Sequence, residues 1–95
     1  MSYKIIAHAP TVYQLSSLSL FGMGYDKNPG GSFSAEAEFE DLEDARKFLH
    51  SRLDKYRYES DMTEDEYKDR AEDIDKHMVL CLDAVTASIE RVGDE

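Results

Sequence analysis

The chain is 95 residues long, carries a net charge of −10, and is 41% apolar and 34% charged. That length supports one domain, which buries little more than ~60% of its unfolded surface and so has little room for a deep, walled catalytic cavity. The composition is too apolar for a disordered acidic tail, and the acidic excess argues against direct binding to nucleic acid or anionic membranes.

Along the chain, Tyr3–Ala9 (YKIIAHA) is short, rich in β-formers and closed by Pro10, which predicts a strand. Leu18–Tyr25 alternates Leu18 and Leu20 with serines and ends in Gly22 and Gly24, a weaker strand signal. Asp26–Gly31 (DKNPGG) is a turn sequence, and Ser32–Glu40 beyond it alternates cleanly. A hairpin of 18–25 with 32–40 is therefore expected.

At Asp41 the period changes. Leu42, Ala45, Leu49, Leu53 and Tyr56, with Phe48 beside them, predict an amphipathic helix over 41–58 with Asp41 as N-cap. A second helix opens at Thr63, which forms a T-x-x-E capping box with Glu66, while Met62 and Tyr67 occupy hydrophobic-staple positions. Tyr67, Ala71, Ile74, Met78 and then Cys81 or Leu82 carry its buried stripe. Val85–Val92 fits either a strand or a continuation of that stripe. The strand is preferred, because Val, Thr and Ile suit it and a helix of about 30 residues would otherwise result. The expected fold class is α+β: an antiparallel sheet of three or four strands with two helices packed on one face, in the order β-β-β-α-α-β. Ala35, Ala37 and Phe39 would face the helices, and Ser34, Glu36, Glu38 and Glu40 would face away.

The charge is unevenly spread: residues 1–35 carry +1, residues 36–75 carry −9 and residues 76–95 carry −2. Glu36, Glu38 and Glu40 would form a strand row at about 6.8 Å spacing, and Asp65, Asp69 and Asp73 a helical row at about 6 Å. Both spacings match roughly every second phosphate of a nucleic-acid strand at ~3.4 Å per charge. Glu36, Glu38, Glu40, Asp65, Asp69, Glu72 and Asp73 are thus the candidate partner-binding residues. Glu43 with Lys47 and Lys68 with Glu72 would offset part of the repulsion. The same acids also suit a face that only keeps a small protein soluble.

Other chemistry is thinner. Asp61, Thr63, Asp65, Tyr67, Asp69 and Glu72 have the ligand spacing of a calcium loop, but Glu66 stands where that loop needs glycine, and the capping box claims the same residues. His77 and Cys81 are four apart without the ligand density of a zinc signature, so no metal or other cofactor is expected. Phosphate-loop, nucleophile-elbow and dinucleotide motifs are all missing, so no enzyme is expected. The single cysteine fits a reducing compartment, no secretory leader is visible and no apolar run reaches the ~18 residues of a membrane span, which together suggest the cytoplasm. Tyr25 and Tyr58 lie off the helical stripes and suit a protein interface.

In size, acidity and layout the chain resembles the small acidic inhibitors encoded by bacteriophages, including several anti-CRISPR proteins and restriction inhibitors. The resemblance implies a non-enzymatic protein that occupies the nucleic-acid-binding surface of a basic partner, in a host cytoplasm. It transfers no individual residue. The alternative is a small structural or regulatory subunit, with a homodimer as one form of it, that associates through an apolar surface or an open sheet edge.

Overall fold

β1 (Ser2–Ala9) is the centre of the molecule. The structure is a computed structural model describing residues 2–92. β1 pairs antiparallel with β3 (Phe33–Phe39) on one side and with β5 (Val85–Val92) on the other. β2 (Asp26–Lys27) flanks β3, and β4 (Val79–Leu82) flanks β5, giving a five-stranded antiparallel sheet in the order β2-β3-β1-β5-β4. α1 (Leu15–Ser19), α2 (Leu42–Ser60) and α3 (Glu64–His77) complete the fold, which is α+β as the sequence pattern indicates.

Strand alternation sends every second side chain to one side. Ile5, Ala7 and Ala9 of β1, Ala35 of β3, Ala87 and Ile89 of β5, and Leu80 and Leu82 of β4 are buried with Leu49, Leu53, Ile74, Leu18 and Phe21 from the helical side. Ala35, Ala37 and Phe39 do face the helices; Ala35 is buried, and the Phe39 ring lies 5.5 Å from that of Phe48. The opposite sheet face, bearing Lys4, Ile6, His8, Glu36 and Glu38, has no covering layer among the described residues. The molecule is a thin slab, 39 × 32 × 17 Å in its principal extents.

Two elements depart from the sequence reading. Leu18–Tyr25 is not a strand: Leu18 lies in α1, and only Asp26–Lys27 pairs with β3. The helix is announced by Thr11 and Gln14, which form a capping box around a single 3-10 turn just after Pro10. Gly22 then turns the chain at φ +68°, where a Cβ would sit 2.8 Å from the Arg52 guanidinium that donates to the Leu20 carbonyl. Further on, the second long helix stops at His77, and Val79–Leu82 is a fifth strand that the helical stripe had absorbed. Met78 takes a left-handed conformation (φ 59°) that ends the helix without the glycine that usually signals such a stop.

The two helix starts differ as well. Thr63 and Glu66 bond reciprocally as a capping box, so the calcium-loop spacing is spent on a helix N-terminus. Asp41 has the extended N-cap conformation, but its carboxylate makes no capping hydrogen bond. Thr63→Ala should therefore lower unfolding free energy by about 1 kcal/mol in urea denaturation, the usual size of a lost cap. Asp41→Ala should cost clearly less, because only its interaction with the helix dipole is removed.

Candidate functional site

The acidic residues singled out by the sequence fall into two rows. On β3, Glu36 and Glu38 point to the uncovered sheet face, and Glu40 is exposed just beyond the strand. Strand register sets Lys4 directly opposite Glu38, with Glu90 on its other side. The Lys4 ammonium reaches diagonally to Glu36 Oε1 at 3.2 Å. The strand row therefore surrounds one lysine, and its field is weaker than three bare carboxylates would give.

The second row lies on α3. Ile74 is buried and Tyr67, Ala71 and Met78 pack against the core, so Asp65, Asp69, Glu72 and Asp73 are left on the outward side of the helix. Glu72 accepts from Lys76 at 2.7 Å one turn on, and not from Lys68 as expected; Glu43 with Lys47 is likewise not among the ion pairs of the described residues. The Lys76 ammonium holds the Glu72 carboxyl below its ordinary pKa, and Glu72 in turn raises that of Lys76. Asp65, Asp69 and Asp73 form no ion pair among the described residues. The strand row thus lies on the uncovered sheet face and the helical row on the outward side of α3, two separate elements of the fold.

Sequence reasoning missed a third feature, at the tip formed by α2 and α3. The Tyr67 hydroxyl donates to Asp54 Oδ1 at 2.6 Å, and the Arg57 guanidinium stacks 4.3 Å from the Tyr67 ring centroid. Beside them is an open cleft of about 630 Å³ lined by Asp54, Arg57, Tyr58, Asp61 and Met62. Tyr58 is 93% exposed, as its place off the stripe suggested, and Tyr13 is 88% exposed in the 3-10 turn. The Tyr67 staple position was visible in the sequence, whereas its bond to Asp54 depends on how two helices meet.

The remaining candidates do not assemble into a site. His77 ends α3 while Cys81 lies in β4, so they share no helix face, and the Cys81 thiol points toward the Asp83 carbonyl. Among the described residues, no group of three His, Cys, Asp or Glu side chains is placed to hold a metal ion. No helix of the described residues is long and apolar enough to cross a membrane. Comparison with protein-family models, curated proteins and solved structures found no significant match.

The Asp54 bond, reinforced by partial burial, raises the Tyr67 pKa above the ordinary tyrosine value. The stabilisation is full below the unfolded tyrosine pKa and disappears as pH rises through the higher folded value. Spectrophotometric titration should show a late component from the Tyr67 phenol, above the ordinary tyrosine value. Tyr67→Phe should abolish that late component.

Proposed function

We propose that this protein is a non-enzymatic binding protein that covers a basic, nucleic-acid-binding surface of a protein partner, in the manner of the acidic inhibitors it resembles. The observation that carries this reading is the outward row Asp65, Asp69 and Asp73 on a capped helix, free of internal ion pairs among the described residues. Fixed carboxylates on a preformed scaffold lose little entropy on meeting a basic surface, and their field steers encounter. Partner-binding residues on this reading are Asp65, Asp69, Glu72 and Asp73 on the helical face, and Glu36, Glu38 and Glu40 on the sheet face.

The helical row is the stronger electrostatic element, because Lys4 tempers the other. Asp65→Lys, Asp69→Lys and Asp73→Lys together move the net charge from −10 to −4 without touching a buried residue. In affinity capture from a host lysate, wild-type protein should retain a nucleic-acid-binding protein that duplex DNA displaces and rising salt elutes. The triple variant should reduce association by about tenfold or more at low salt, within the range attributed to steering. Retention unaffected by DNA, by salt and by charge reversal would favour the alternative of an apolar interaction subunit.

One observation bears on that alternative. The open edge of β4 is not bare, because Arg70 Nε donates to the outward Cys81 carbonyl at 3.0 Å, and α3 packs alongside. A long side chain over an edge strand is a common guard against strand-to-strand association. Association through β4 is therefore disfavoured.

A further inference from the structure

At the other edge of the sheet, no side chain among the described residues bonds to the Glu36 or Glu38 backbone in this way. In an antiparallel ladder, residues that exchange hydrogen bonds with one neighbour recur at every second position. The Asn28 N–H donates to the Ser32 carbonyl at 2.7 Å, and Asp26 stands opposite Ser34. Continuing that alternation, Ser34, Glu36 and Glu38 turn their N–H and C=O groups away from β1, while Phe33, Ala35, Ala37 and Phe39 bond to it. The same alternation carried across the sheet agrees with the Ile89 N–H donating to the Met78 carbonyl at 2.8 Å on the far side.

β2 occupies only the first part of this edge. If the chain had stayed in register, residues 24 and 22 would face Glu36 and Glu38. Both are glycines at positive φ, +72° and +68°, and they lead the chain off the sheet. The outward backbone groups of Glu36 and Glu38 consequently have no backbone partner among the described residues. Where the chain departs there is a groove of about 530 Å³, bordered by Met23, Tyr25, Asn28, Ala35 and Glu36.

We infer that this edge of β3 receives an extended segment of a basic partner, added as a sixth strand with lysine or arginine at every second position. The occupant follows from the register. A strand bonded to Glu36 and Glu38 places the side chains opposite them on the same open face, about 4.5–5.5 Å away between Cβ atoms, where opposite charges stabilise and like charges destabilise. Its intervening side chains turn to the other face, the side of Ala35 and Ala37. A second copy of the chain is a poor occupant, since pairing β3 with β3 would set glutamate against glutamate. Backbone bonds then supply affinity and the alternating cations supply specificity.

The inference rests on the proposed function only for the partner being basic, and a peptide probe separates the two. The probe is a hexapeptide alternating lysine and valine, compared with one of equal composition whose lysines are contiguous. In titrations of isotope-labelled protein, the alternating peptide should shift the amide signals of Glu36 and Glu38 and slow their hydrogen exchange by about tenfold, as expected for amides newly bonded in a ladder. The contiguous peptide should not protect them. Glu38→Pro, which removes an outward N–H that β1 does not use, should abolish the protection, whereas Glu38→Gln should only weaken binding at low salt. Exchange on the wild-type protein keeps the test decisive if the proline variant does not fold. If both peptides shift α3 signals alone, or neither binds, strand addition is overturned while capture through α3 still stands. Protection at β3 together with DNA-insensitive partner capture would overturn the proposed function instead.

Discussion

Everything in this molecule depends on how β1 packs small residues beneath the helices. It bonds to a strand on each side and sends Ile5, Ala7 and Ala9 into the core. Alanines recur at Ala35, Ala45 and Ala87, each buried at the junction of sheet and helices. Small residues on one layer leave room for large ones from the other, and Leu49, Leu53, Ile74 and Phe21 are fully buried there. Burying each large aliphatic or aromatic side chain contributes roughly 1.5–3 kcal/mol, so a few such positions are comparable to the whole stability of a domain this small.

That one-sided core explains the electrostatic layout. Among the described residues the apolar cover lies on one face, so the sheet's other face meets water, as do the outer sides of α2 and α3. Acids serve on both, but in different company. On β3 they bracket Lys4 within a cross-strand set, whereas on α3 they run along a helix with Lys76 bonded to Glu72. A total charge of −10 therefore describes two faces with separate capacities. One suits long-range attraction, and the other combines moderate charge with backbone groups left open by Gly22 and Gly24.

The legible parts of the fold were those written in local periodicity or local capping. β1, β3, α2, the start of α3 and β5 follow from alternation, from three- and four-residue spacing, and from Thr63 with Glu66. Two elements escaped. Ser17–Leu20 looks alternating over a few residues, but its first turn is already committed by Thr11 and Gln14, and burial of Leu18 and Phe21 fixes it as helix. β4 escaped because Met78 terminates α3 in a left-handed conformation with no sequence flag. Cys81 and Leu82 sit at spacings that suit helix and strand alike.

By itself the sequence determined the fold class, the faces of β1, β3 and α2, the cap of α3 and the identity of the exposed acids, because each is set by contacts within a few residues. Which acids stand together was decided only by the tertiary structure. Glu36 and Asp65 are equally acidic in the sequence, yet one lies beside Lys4 on a strand paired to β1 and the other on the outward side of α3. Charges interact across space according to distance and surroundings, and the chain sets those only when β1 has gathered β3 and β5 around it.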